Sequence, residues 1–113
     1  MKLVKLALIV GAFFLMCNQA NALSIVNYKQ LKKEDYSSLK LYVSGLGQGY
    51  DWSNSIVANK LKQNLYCPPQ KIALNAENFL SIIDTEIESG LWKDEDPIEM
   101  ILFFGLEKTF ACE

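Results

Sequence analysis

The sequence predicts an all-α fold: a small compact helical domain of about four helices, stapled by one disulfide and preceded by a cleaved signal peptide. Three observations lead there. Apolar residues recur at threes and fours through most of the chain, the period of a helix that buries one face. Start and stop signals punctuate this pattern at Pro68-Pro69, Asn75, Gly90 and Asp96-Pro97. Two cysteines, Cys67 and Cys112, remain once the leader is set aside.

The leader comes first. Lys2 and Lys5 precede an uncharged apolar run over residues 6–16, and Asn18, Gln19 and the small-residue site Ala20-Asn21-Ala22 follow. That order is a secretory signal peptide, residues 1–22, cut after Ala22. The apolar run of 11 residues falls short of the roughly 20 needed to cross a bilayer. Cys17 follows Phe14, Leu15 and Met16, whereas a lipobox wants a small residue directly before its cysteine, so lipidation is not expected. Once cleaved, the protein should have no membrane attachment.

The expected mature chain, residues 23–113, is one domain of 91 residues with nine lysines, 13 acids and a net charge of −4. It has no arginine and no histidine. Without a basic field, nucleic acid is not an expected partner. Without imidazole there is no histidine base for a Ser or Cys nucleophile and no histidine metal ligand. No spacing of Ser, Asp and Lys pairs a nucleophile with a base, so neither an enzyme nor a metal or cofactor is expected.

Residues 23–33 read as a polar lead-in. From Glu34 to about Leu65 the apolar positions Leu39, Tyr42, Val43, Leu46, Tyr50, Ile56, Val57 and Leu61 form a helical stripe. A bend or break is expected near residues 53–55. Gly45 and Gly49 sit four apart in this helix, each costing about 1 kcal/mol relative to Ala. They are expected to face a close neighbouring helix.

Pro68-Pro69 ends that region, since neither proline donates an amide and the residue before a proline avoids the helical conformation. Asn75 should cap a helix over residues 76–89, with Phe79, Leu80, Ile83 and Ile87 inward and Gly90 at C′. Glu77, Asp84 and Glu88 lie on its polar face, expected to be solvated rather than a cation site. Asp96-Pro97-Ile98-Glu99 announces a last helix with an acidic cap and proline at its first position. Its inner stripe is Ile98, Ile101, Leu102, Gly105, Leu106 and Thr109, widened by Phe103, Phe104 and Phe110.

In an exported chain the two remaining cysteines are expected to pair, two lone thiols or an intermolecular bridge being the alternatives. Closing 44 intervening residues contributes roughly 4 kcal/mol in the chain-entropy model. Between the last two helices, Leu91-Trp92-Lys93-Asp94-Glu95 places a tryptophan among charges. Either Trp92 folds back over the core, or it anchors a partner with Asp94 and Glu95 beside it, a role in which Trp is enriched.

Across residues 39–112 the order Tyr42-x-x-Gly45-x-x-x-Gly49, Cys67-Pro68-Pro69, Ala73-Leu74-Asn75, Asn78-Phe79-Leu80 and Phe110-Ala111-Cys112 resembles the Rap/Tai family of exported immunity proteins. The resemblance implies a periplasmic helical protein with a mid-chain cysteine bonded to one at the C-terminal end. It also implies a homodimer that binds and inhibits a peptidoglycan amidase delivered by type VI secretion. A second expectation comes from another class. A small periplasmic acid-stress chaperone has the same length, helicity and single disulfide, and the 13 acids suit a fold that loosens on protonation.

Overall fold

A computed structural model describes residues 2–5 and 22–113. The second stretch forms four helices: α1 (Ile25–Glu34), α2 (Tyr36–Leu61), α3 (Ala76–Glu88) and α4 (Ile98–Thr109). The apolar run 6–16, Cys17 and Ala20-Asn21 of the expected leader lie outside the described residues. Among the described residues no β-strand forms, and one isolated antiparallel bridge joins Ser24 to Pro97.

The expected polar lead-in is helix α1. Ser24 caps it, accepting from the Asn27 amide. Ile25 and Tyr28 are buried and Leu31 packs against them, three apart on one face. Lys29, Gln30, Lys32 and Lys33 fill the positions between and lower the apolar signal below notice. Asp35 ends α1 and begins α2, its carboxylate accepting from the Ser38 amide at 3.2 Å and the Ser38 hydroxyl at 2.7 Å.

Helix α2 runs 26 residues without the break expected at residues 53–55. The Ser53 and Ser55 hydroxyls donate to carbonyls four residues back, Gly49 at 2.8 Å and Asp51 at 3.0 Å, and so remain inside the helix. Asn54 between them is buried and works as a clamp. Its Oδ1 accepts from the Leu65 and Tyr66 amides at 2.7 and 3.3 Å, and its Nδ2 donates to the Tyr66 carbonyl at 2.8 Å. The chain beyond α2, which turns through left-handed Lys62, is thereby held with Tyr66 fully buried.

The glycine expectation is overturned. Gly45 and Gly49 lie on the exposed side of α2, and a Cβ on either meets nothing within 4 Å. The close approach occurs at Gly47, where a Cβ would lie 2.2 Å from the Phe79 ring of α3. Gly105 does the same for α4, where a Cβ would lie 2.4 Å from Ile82 Cγ2. The 3.6-residue turn explains the error: Gly47 lies four residues after Val43 and eight after Leu39, both buried, whereas Gly45 and Gly49 follow Leu41, an exposed residue, at four and eight.

Helix α3 matches its expectation closely. Asn75 and Asn78 form a reciprocal capping pair, and Gly90 adopts φ +75° just past its end. Its polar face is not merely solvated. Asp84 accepts from the Tyr28 hydroxyl at 2.8 Å and pairs with Lys32, while Glu77 accepts from Tyr36 and pairs with Lys40 at 2.7 Å. These contacts tie α3 to α1 and α2.

Helix α4 buries Ile98, Ile101, Leu102, Gly105 and Leu106 as expected; Thr109 is exposed. Its N-terminus differs. Pro97, not Asp96, occupies the cap position and no side chain caps it. The first free amide, Ile98, donates to the Leu23 carbonyl at 2.8 Å, so the segment before α1 does the capping. The Asp96 carboxylate accepts from the Lys93 amide instead. Cys67 and Cys112 form the disulfide, with Cα atoms 5.0 Å apart. Beside it the Cys67 amide donates to the Phe110 carbonyl at 2.7 Å.

Candidate functional site

The loop between α3 and α4 begins at Gly90, whose positive φ turns the chain away from the α3 axis. Leu91 follows and is 79% exposed. Trp92 folds partly back on the core, its indole 5.9 Å from the Phe104 ring and tilted 34° to it. The indole Nε1 donates to Glu86 Oε2 at 3.4 Å. Glu86 is a carboxylate near the end of α3 that is only 6% exposed, and its other oxygen pairs with Lys108 Nζ of α4 at 3.1 Å. Gly105 permits this arrangement, because the Glu86 side chain packs where a Cβ on residue 105 would intrude, at 3.1 Å. A reciprocal pair of hydrogen bonds between Lys93 and Asp96 closes the loop into a turn ahead of α4.

These residues line a shallow concavity of about 580 Å³, formed by Glu86, Leu91, Trp92, Phe104, Glu107 and Lys108. Its floor is the Trp92–Phe104 pair and its rim carries both signs of charge. No nucleophile stands beside a base here, so the arrangement has no evident covalent chemistry. It is suited to contact: an exposed aliphatic side chain beside two aromatic rings, set on the ends of two packed helices, offers apolar area at low ordering cost.

Of the residues expected to meet a partner, Trp92 lines the concavity. Asp94 and Glu95 are exposed but do not line it, and the Asp94 carbonyl instead accepts from the Val26 amide at 3.3 Å, fastening the loop to α1. Trp92 thus shows part of each alternative, leaning on the core while remaining at the surface. The expectation left Leu91 out of the partner-binding residues and had Phe104 widening the inner stripe, although Phe104 is 46% exposed. A signal for Phe104 existed in the helix period: it stands two residues from each of the buried Leu102 and Leu106, so the helix turn places it nearly opposite them.

A second apolar row runs along the outer side of α2, where Leu41, Trp52 and Ile56 are exposed. Trp52 also borders a concavity of about 350 Å³ with Gln48, Asp51, Ser55 and Leu74. Among the described residues no cluster of His, Cys, Asp and Glu is placed to hold a metal ion, and no helix is long and apolar enough to cross a membrane. Fold and site together define a small all-α, disulfide-stapled protein with an exposed apolar and aromatic patch at the α3–α4 loop. Comparison with family models, curated proteins and solved structures returns no match.

Proposed function

We propose that the chain is an exported, periplasmic immunity protein that occludes the cleft of a secreted peptidoglycan amidase, the role implied by its resemblance to the Rap/Tai family. The observation that supports it best is the Leu91, Trp92 and Phe104 surface. It stands at one end of a stapled scaffold, and the fold does not need the Leu91 side chain. A leucine beside an aromatic pair can fill a cleft, and the Glu107 and Lys108 rim orients the approach. The test titrates the purified mature protein against peptidoglycan amidases delivered by type VI secretion and measures inhibition of peptidoglycan hydrolysis. Stoichiometric inhibition that Leu91→Ala weakens at least tenfold is the expected result. Full enzyme activity at saturating protein overturns the reading.

A second reading, the acid-stress chaperone, is favoured by one observation: Asp84 and Glu77 join α1 and α2 to α3. Hydrogen bonds from Lys40 and then Tyr36 hold the Glu77 carboxyl below its usual range, so protonating it weakens its tie to α2. Suppression of client aggregation in acid but not at neutral pH distinguishes this from the immunity reading.

A further inference from the structure

The segment before α1 makes an unusual contact with α4. The Leu23 backbone nitrogen donates to Glu99 Oε1 at 3.0 Å, and the Leu23 carbonyl accepts from the Ile98 amide at 2.8 Å. The Tyr42 hydroxyl of α2 donates to the same Oε1. The second oxygen, Glu99 Oε2, is buried and has no hydrogen-bond partner among the described residues. A buried carboxylate oxygen left unpaired is costly and uncommon. Here it stands beside a peptide nitrogen, which has one proton to give, whereas an ammonium has three.

We propose that the Leu23 nitrogen is the amino terminus of the working protein and that Glu99 is its receptor, so that cleavage of the Ala22–Leu23 bond creates an ion pair joining the first residue to α2 and α4. The cleavage itself rests on the reading of the chain as exported. Hydrolysis by a leader-processing peptidase consumes one water. The water oxygen bonds to the Ala22 carbonyl carbon, which departs as a carboxylate. The C–N bond breaks with its electron pair remaining on the Leu23 nitrogen, and that nitrogen takes up protons to become an ammonium near neutral pH. One N–H keeps its bond to Oε1, leaving two more, of which one serves Oε2. Ala22 is exposed and Leu23 half-buried, so the departing side of the bond contributes nothing to the core.

The surroundings leave the pair without a competitor. From α2 the facing groups are Tyr42 and Tyr50, whose hydroxyl donates to the Glu99 carbonyl at 2.7 Å. Burial, and then the bond to Glu99, pushes Tyr42 up to about 12, and burial raises Tyr50 also, so both stay neutral through the range in which an amine titrates. Leu23, Ser24 and Ile25 bring no charge, and the Asp96 carboxylate is turned to the Lys93 amide. An amine paired with a carboxylate has its folded pKa raised above the unfolded value of about 8. Its contribution is therefore complete below about pH 8 and is lost as pH rises through the folded pKa.

Two measurements test this. The chain is prepared with Leu23 as its first residue, with Ala22 retained, and with Leu23 acetylated, each also carrying Glu99→Gln. At neutral pH the Leu23-first protein should melt about 5 °C above the other two. That difference should shrink in alkali and vanish with Glu99→Gln. Equal melting of the Leu23-first, extended and acetylated proteins overturns the receptor, and so does a difference that survives Glu99→Gln. The acetylated form keeps Glu99 and so remains decisive if Glu99→Gln fails to fold. Separately, the first residue of protein recovered after export is sequenced. Leu23 supports the processing site and any other residue overturns it. Neither measurement involves an amidase, so failure here is distinct from failure of the immunity reading.

Discussion

The Phe79 ring occupies the space that a Cβ on Gly47 would need, with three ring carbons between 2.2 and 2.5 Å of that position. Gly47→Ala therefore forces the α2–α3 contact apart and is expected to destabilise the fold by about 1–3 kcal/mol. Gly45→Ala and Gly49→Ala meet open space and gain helix propensity, stabilising by up to about 1 kcal/mol each. Urea midpoints of the three variants measure this, and a destabilised Gly45→Ala would put the packing face elsewhere.

Replacing Cys67 and Cys112 by serine should cost about 4 kcal/mol, since the bond closes a sequence separation of 45 residues. The hydrogen bond from the Cys67 amide to the Phe110 carbonyl remains, so the variant should keep its helical circular dichroism while its unfolding midpoint falls. An unchanged midpoint would show that the unfolded chain gains nothing from release.

Asn54→Ala should cost about 1–3 kcal/mol, because the half-buried Leu65 amide and the buried Tyr66 amide and carbonyl lose their partner together. Faster hydrogen exchange confined to residues 62–75 is the accompanying signature. Uniformly faster exchange would mean that the clamp supports the whole domain.

For the α3–α4 loop the two neighbours should behave differently. Leu91→Ala leaves the melting temperature unchanged, because its side chain is exposed. Trp92→Ala lowers it, because the indole covers Glu86 and Phe104. Binding to a cognate amidase should fall in both, by about 2 kcal/mol where the side chain is an anchor. An amidase affinity untouched by Leu91→Ala removes this loop from the interface.

Acid should weaken the fold in an identifiable way. Hydrogen bonds from Lys40 and then Tyr36 hold the Glu77 carboxyl below its usual range, and those from the Ser38 hydroxyl and amide do the same for Asp35. Both groups bind protons more weakly in the folded state. The stability they contribute is present above the ordinary carboxylate range and lost as pH falls through their folded values. Glu77→Gln and Asp35→Asn should each flatten the change in urea midpoint between about pH 6 and about pH 3.5. Profiles parallel to the parent would place the acid sensitivity in other carboxylates.

Much of this architecture is legible in the residues. Asn75, Gly90 and the stripe from Ile98 to Leu106 place α3 and most of α4, because caps and apolar period agree there. The expected count of about four helices is met differently, with α1 in place of a break in α2. The helix runs through residues 53–55 because the Ser53 and Ser55 hydroxyls return to carbonyls of their own helix. The cap of α4 was illegible for another reason: its acceptor, the Leu23 carbonyl, is 75 residues away, and no local pattern encodes such a partner. The exposed aromatic patch was half legible, since a tryptophan among charges marks Trp92, while Phe104 reaches it only through the packing of α4 on α3.

The pairing of Leu23 with Ile98 and Glu99, and of Cys67 with Cys112, also sets when this chain can fold. A chain made from its amino terminus has no Asp94 and Asp96 carbonyls for the first amides of α1, and no α4 for Leu23 to cap, until residues 94–98 exist, and the staple waits for Cys112. Such long-range closures are slow to form and unstable while incomplete. Until residues 98–112 have been made, the parts of the chain already present therefore hold one another without either closure.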